Sequence, residues 1–267
     1  MLEKIRSFFG LKPEPASPSV PDGTRYYVIG DIHGRLDLFE ALITAIEDDD
    51  AQSAEADTRI ILLGDLVDRG PDSAGVIART RAWQAQRDVR VLMGNHEEMF
   101  LQAFENPEIL RHFLKHGGRE TIMSYGLSKK EFSKMPLEDL FAKLPEIVPP
   151  AEREYIAGFD EKIIAGDYLF VHAGIDPAFR VKDQQRADML WIRDRFLDHE
   201  DPFEKVVVHG HTIFDDVMDC GNRIGIDTGA FRSGTLTALV LEGDRKRTLQ
   251  TRSADGVIKI VRDDIAA

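Results

Sequence analysis

The stretch Gly64-Asp65-Leu66-Val67-Asp68-Arg69-Gly70 places two carboxylates and a guanidinium in one short loop between glycines. It follows Ile60-Ile61-Leu62-Leu63, an apolar run that reads as the end of a buried strand. A loop leaving a strand can aim several side chains at one point. In open α/β sheets that point, at the carboxyl ends of the strands, is where ligands bind. Carboxylate oxygens suit a hard cation and a planar fork suits a phosphate, so the loop predicts a metal beside a phosphoryl group. A turn with solvated charges is the plain alternative.

Other loops repeat the pattern. Gly30-Asp31-Ile32-His33-Gly34 follows a strand-like run, as do Gly94-Asn95-His96-Glu97, His172-Ala173-Gly174 and His209-Gly210-His211-Thr212. Asp31 and His33 lie two apart on an extended segment and share one side of it. Carboxylate and imidazole together suit a transition metal better than calcium or magnesium. A single histidine at a strand end is usually a satisfied turn or core residue. Four strand-end loops carrying histidine, with Asp and Asn among them, are hard to explain that way. The mixed nitrogen and oxygen donors imply manganese, iron or zinc, with enough of them for two ions. Two ions about 3.5–4 Å apart that share a carboxylate clamp both sides of an in-line displacement at phosphorus.

The elements that must position these residues follow from periodicity. Arg25-Tyr26-Tyr27-Val28-Ile29 reads as a first strand, and Leu36, Phe39, Ile43 and Ile46, with Leu38 and Leu42, mark an amphipathic helix after it. Asp48-Asp49-Asp50 is expected to end that helix as a solvated run. Residues 58–63 give a second strand, Asp72 or Ser73 caps a helix to about Gln86, and Val89–Met93 gives a third strand. Strand–loop–helix alternation predicts a parallel sheet. Residues 97–160 read as helical with proline breaks, and His112, Lys115, His116 and Arg119 form a mildly basic face before Gly117-Gly118. From residue 162 the pattern turns to short strands: a hairpin about Gly166-Asp167, then 205–208, 224–226, 236–242, 248–251 and 258–261. The expected fold class is α/β (mixed α+β), with two mixed sheets packed face to face and helices outside. Residues 11–24, with four prolines, read as an extended or disordered linker, so the expected organisation is a 1–24 extension and a 25–267 domain. Leu2, Ile5, Phe8 and Phe9 could form a short amphipathic helix that docks locally.

Composition sets the bounds. The chain has 267 residues, 43% of them apolar, and a net charge of −13. That charge argues against a protein built to hold nucleic-acid phosphates, although bound cations would reverse the local sign. Cys220 is the lone cysteine, which excludes an internal disulfide and fits a reducing, cytoplasmic setting. No stretch approaches the roughly 18 apolar residues of a membrane helix, and the charge-broken first ten residues do not read as a secretory leader.

Taken as a set and in order, the motifs at 30–34, 64–70, 94–97, 172–174 and 210–212 resemble the phosphoprotein-phosphatase branch of the binuclear metallophosphoesterases. The compact bacterial and phage members are the nearer match. The resemblance covers about residues 25–240. It implies that Asp31 and His33 bind a first metal, that Asp65 bridges, and that Asn95, His172 and His211 complete a second. It further implies that Arg69 and Arg193 hold the phosphoryl oxygens with Asn95, and that His96 is the general acid, oriented and charged by Asp68. The nucleophile would be a metal-bridging hydroxide. Two divalent or transition ions are the implied cofactors: manganese in the test tube, with iron or zinc as alternatives.

Chemistry supports those roles. Serine alkoxide leaves poorly and needs a proton donor near neutrality, and a carboxylate beside an imidazole favours its charged form. Arg195 is an alternative to Arg193, since both closely follow Trp191. His209 reads as packing, and Asp227-Thr228-Gly229 as a turn behind the site or a plain turn. Eukaryotic members carry a tyrosine in a late loop where this chain has Gly229-Ala230-Phe231. The function expected is hydrolysis of phosphoserine or phosphothreonine in proteins, with phosphotyrosine within reach of the same chemistry. The competing reading is a bis(5'-nucleosyl)-tetraphosphatase or other nucleotide phosphohydrolase, whose better leaving group has less need of Asp68. A binding protein without catalysis is a third class, and the complete ligand set speaks against it.

Overall fold

Alternation along the first strand decides the layering. In β1 (Thr24–Ile29) Tyr27 and Ile29 join one apolar cluster, while Tyr26 and Val28 join another. In β2 (Asp57–Leu62) Ile60 and Leu62 divide from Ile61 in the same way. Strands buried on both faces need a layer on each side. One side is helical: Leu38, Phe39, Leu42 and Ile46 of the helix Leu36–Gln52 and Val76, Ile77 and Trp83 of the helix Ser73–Gln84 cover it. The other side is a second sheet. Each fully buried aliphatic or aromatic side chain contributes about 1.5–3 kcal/mol.

The computed structural model describes residues 17–265; the amphipathic stretch through Leu2 and Phe9 lies outside them. The first sheet has the order β11-β10-β9-β1-β2-β3, with β3 (Val89–Val91), β9 (Thr235–Glu242), β10 (Arg245–Ala254) and β11 (Val257–Asp264). The second has the order β4-β5-β6-β8-β7, from β4 (Lys162–Ala165), β5 (Tyr168–Val171), β6 (Val206–His209), β7 (Met218–Asp219) and β8 (Arg223–Gly225). β1, β2 and β3 are parallel, as are β5, β6 and β8, and antiparallel strands flank both sets. The two sheets meet through Tyr26, Val28, Ile61, Phe170, Val208, Ile224 and Leu239. The short helices Arg186–Trp191 and Asp194–Leu197 cover the outer face of the second sheet through Met189 and Phe196. Two mixed sheets in a sandwich flanked by helices is the architecture expected from the alternating pattern.

Residues 95–157 form a helical insertion that returns to the edge of the first sheet, where the Met93 N–H donates to the Asp160 carbonyl at 2.7 Å. His112, Lys115 and His116 are exposed there, as a solvated face requires, but Arg119 departs from it: it is half-buried, with its guanidinium 5.2 Å from the Phe132 ring centre.

Three expectations need correction. The helix from Leu36 runs through Asp48-Asp49-Asp50 to Gln52 instead of ending before them. Asp49 accepts from Arg247 and Tyr27, and Asp50 from Arg25, Arg87 and Thr58, so partners distant in sequence remove the reason to break the helix. The last strands are longer than expected because Asp255-Gly256, both at positive φ, makes a tight turn that lets β10 and β11 pair over their length. The part of the proline-rich stretch that the structure describes is packed: Val20 is buried, its N–H donates to the Gly243 carbonyl, and the Pro18 carbonyl accepts from Tyr168.

Candidate metal centre

All six parallel strands point their carboxyl ends at the same edge of the sandwich. The loop after β1 brings Asp31 and His33, that after β2 brings Asp65, Asp68 and Arg69, and the first turn of the helix Asn95–Gln102, which follows β3, brings Asn95 and His96. From the second sheet come His172 after β5, His211 after β6 and Asp227 after β8. Gly64, at φ 96°, lets two loops touch: a Cβ there would lie 2.6 Å from the Gly94 nitrogen. That contact sets Asp65 beside Asn95 and His96. His33, Asp65, Asp68, Arg69 and His211 all sit at positive φ, between 47° and 74°. Each non-glycine residue held in this region costs about 1–3 kcal/mol and needs support from its surroundings.

Glu97 provides much of that support. It is fully buried, and its carboxylate accepts from the N–H groups of Gly94, Asp65, Leu66 and Val67 at 2.8–3.1 Å. Burial and the Asp65 charge push Glu97 up to about 8. With two amides donating to each oxygen, however, the ionised form is the one whose hydrogen bonds are complete.

Ligand atoms form two clusters, His33–Asp65–His96 and Asp65–His172–His211, within which the atoms lie no more than 4.8 Å apart. Asp65 is common to both. Its Oδ2 faces His33 Nε2 at 3.5 Å and its Oδ1 faces His172 Nε2 at 3.4 Å. Asn95 Oδ1 sits 2.9 Å from His172 Nε2 and 2.8 Å from His211 Nδ1. Asp31 stands just outside the clusters, its carboxylate accepting the His211 N–H at 3.1 and 3.2 Å.

The donor set fits divalent ions for a specific reason. His172 Nδ1 donates to the Leu63 carbonyl at 2.8 Å and His33 Nδ1 to the Val67 carbonyl at 2.8 Å. Burial lowers both imidazoles, so they are neutral and each Nε2 carries a lone pair. The His172 lone pair therefore faces the oxygens of Asn95 and Asp65. His211 Nε2 is buried without a partner, and burial lowers this imidazole to about 2. Electron pairs gathered in this way repel unless a cation lies among them. Ring nitrogens fixed by carbonyl hydrogen bonds are the usual arrangement of metal-binding histidines.

Beside the ligands lies a proton-handling pair. Asp68 Oδ2 is 2.5 Å from His96 Nδ1, and Asp68 Oδ1 accepts from Thr121 Oγ1 at 2.6 Å. Burial lowers His96, but the charges of Asp65 and Asp68 more than offset it and the imidazole ends above its ordinary value. Arg69 donates to His33 Nε2 at 2.8 Å and to His96 Nε2 at 2.9 Å, and its guanidinium lies 4.6 Å from the Phe231 ring centre. While Arg69 holds that position, His96 Nε2 must accept, and His96 is neutral.

Of the two arginines that follow Trp191, Arg195 is tied to Asp176 at 2.9 Å and Asp188 at 2.8 Å. Arg193 is exposed and reaches only Thr212 Oγ1, at 3.5 Å. His209 packs edge-on against Phe196 at 4.9 Å, and burial lowers it to about 4. Asp227 is buried, and its Oδ1 accepts the Gly229 N–H. Burial pushes it up to about 6, and burial with the neighbouring Asp227 and Asp65 charges raises Asp31. Sequence reasoning gave no role to Glu97 or Thr121. The first had a signal, as the fourth residue of its motif; a single threonine in a helical stretch had none.

The sequence profile described as calcineurin-like phosphoesterase matches residues 24–232. The chain is 28% identical over 217 residues to serine/threonine-protein phosphatase 1 of Salmonella typhimurium, covering 79% of this chain and 89% of that one. It is 26% identical over 231 residues to the asymmetrical bis(5'-nucleosyl)-tetraphosphatase PrpE of Anoxybacillus flavithermus, covering 80% and 89%. In fold it is similar to the cold-active protein-tyrosine phosphatase of a psychrophilic Shewanella, with a TM-score of 0.51 and 17% identity, covering 91% of this chain and 83% of that one. Among the described residues no helix is long and apolar enough to cross a membrane. With the profile spanning most of its length and the ligand clusters at its strand ends, the chain belongs to the calcineurin-like phosphoesterase family.

Proposed function

We propose that this phosphoesterase is a binuclear-metal phosphomonoesterase acting on phosphoserine and phosphothreonine in proteins. The observation that carries the reading is the buried Asp68–His96 pair, 2.5 Å apart and fixed from behind by Thr121. An alkoxide leaving group must be protonated as it departs, and a histidine charged by a neighbouring carboxylate is suited to that. A phosphoric-anhydride leaving group needs no such donor. Similarity to the Salmonella serine/threonine phosphatase supports the same choice.

Asp31, His33, Asp65, Asn95, His172 and His211 would hold the ions, with manganese proposed for the assay and iron or zinc as alternatives. Bound there, such ions would lower the pKa of water and neutralise phosphoryl oxygens. A phosphoryl group entering the site offers Arg69 oxygens in place of the two imidazole nitrogens. Moving to them, Arg69 frees His96 Nε2 to carry the proton that Asp68 stabilises. Arg193, without a close ion pair, is poised to clamp the same group.

Similarity to the tetraphosphatase favours nucleotide hydrolysis as a second reading. A panel of phosphoserine peptide, phosphotyrosine peptide and diadenosine tetraphosphate with added manganese separates the two. The expected order has phosphoserine peptide fastest by kcat/KM. Faster cleavage of the dinucleotide would transfer the assignment to the second reading.

A further inference from the structure

We propose that Asp227 belongs to the metal centre: its free Oδ2 supplies a third carboxylate charge and an acceptor to the coordination sphere of the ion held by Asp31 and His33. The position follows from backbone contact. Gly30, the residue before Asp31, packs directly on Ile226-Asp227; a Cβ there would lie 2.6 Å from the Ile226 oxygen and 3.5 Å from the Asp227 Cα. The two carboxylates therefore emerge side by side from the ends of β1 and β8. Flanking bonds hold the segment in place, from the Ile226 N–H to the His209 carbonyl and from the Phe214 N–H to the Asp227 carbonyl, both at 2.9 Å.

The side chain's own bonding shows that local structure does not need its charge. Asp227 is 1% exposed; Oδ1 accepts the Gly229 N–H at 2.8 Å, Oδ2 meets no amide or side-chain N–H, and the near neighbour of the side chain is the Asp31 carboxyl group. A turn would be served equally by an asparagine, whose Oδ1 accepts the same bond. A buried carboxylate with a free oxygen, beside a second carboxylate, is a costly choice unless a cation compensates both. The charge count agrees: two divalent ions bring four positive charges, while Asp31 and Asp65 bring two negative ones and Asp68 is engaged with His96. Nothing in the acid–base scheme above uses Asp227.

The proposal rests on reading the clusters as a metal centre, and not on the identity of the substrate. Full-length protein stripped by a chelator is titrated with Mn²⁺ alone, by calorimetry and by loss of the free-ion electron-spin signal, for wild type, Asp227→Asn and Asp65→Asn. Asp227→Asn is expected to weaken one of two manganese sites about 10–100-fold and to leave the other unchanged. In chelator its melting temperature should stay near wild type, because an asparagine keeps the bond to Gly229 and the fit of the buried side chain. Wild-type affinity at both sites in Asp227→Asn would overturn the proposal, whether or not the stripped variant melts lower. Should Asp227→Asn not fold, Asp227→Ser serves, with the same affinities deciding. If Asp65→Asn retains both ions, it is the metal-centre reading that fails.

Discussion

The two ends of the first sheet both carry dense clusters of charge, and they are solved differently. At the amino ends Arg25 is bound by Asp50 and Glu242, Arg87 by Glu47 and Asp50, and Arg247 by Asp49, which also accepts from Tyr27. Each of the three arginines there is closed off by carboxylates. At the carboxyl ends acceptors meet acceptors: the His172 lone pair faces Asn95 and Asp65, and Asp31 lies beside Asp227. Site residues there also hold left-handed backbone, while none of the seven charged residues at the amino ends does. The contrast separates charge that closes on itself for stability from charge left open for a ligand.

The largest effect belongs to Asp65, whose oxygens face both ligand clusters. Asp65→Asn should lower metal content and turnover together, with kcat/KM down roughly 10³-fold or more, since each ion supplies several kcal/mol of charge stabilisation. Elemental analysis beside kinetics checks it; full metal content with low turnover would sink the bridging role. Next comes His96. His96→Asn should keep both ions yet cost about 10²–10⁴-fold in turnover on phosphoserine peptide. The loss should shrink on an aryl phosphate, whose leaving group needs less protonation, and an equal loss on both substrates would contradict the general-acid assignment.

At the opposite end, breaking charge should cost stability and spare catalysis. Asp50→Asn removes a carboxylate shared by Arg25, Arg87 and Thr58 and should cost about 1–3 kcal/mol, read by urea unfolding, with kcat unchanged. Burial would raise the carboxyls of Asp49 and Asp50, but hydrogen bonds from their arginine, tyrosine and threonine partners outweigh it and lower both. A lowered folded-state pKa means stability that is present above the unfolded carboxylate value, about 3.9, and lost as pH falls through the folded value. Melting temperature should therefore fall below about pH 4 in wild type and fall less in Asp50→Asn. Parallel curves would show that this cluster contributes nothing to acid lability.

The same contrast explains what could be read without coordinates. Site residues were legible because glycine-bounded motifs follow apolar runs, and a strand's end fixes where its loop must point. The sandwich was legible because β1 and β2 are apolar on both faces and need two covering layers. Asp49 and Asp50 mislead because a run of acids looks solvated until Arg25, Arg87 and Arg247, remote in sequence, fold onto it. Glu97 and Thr121 escaped for a related reason: they act on backbone and on Asp68, and residue type alone does not announce a buttress. Asp227 reads from sequence as a turn, behind the site or plain, since its neighbour Asp31 lies in the other half of the chain.

The smallest effect is expected at the rim, where two similar arginines test whether openness marks function. Arg195 is held by Asp176 and Asp188 on the outer face of the second sheet, a closed arrangement like that at the amino ends. Arg193, two residues earlier, has no close ion pair, and its charge acts on His172 and His211. The start of a helix supplies the difference: the backbone at Arg193 is non-helical, at φ −134° and ψ −108°, and Arg195 lies inside the helix Asp194–Leu197 that begins after it. Arg193→Ala should raise KM for phosphoserine peptide, and the inhibition constant of inorganic phosphate, about tenfold, the value of one charge-assisted contact of 1.5 kcal/mol or so. Arg195→Ala should leave both constants near wild type and lower the melting temperature slightly, as partly exposed ion pairs contribute at most about 1 kcal/mol. The reverse result would mean that the paired arginine leaves its carboxylates to reach the substrate, and that a closed cluster in the free protein does not identify structural charge.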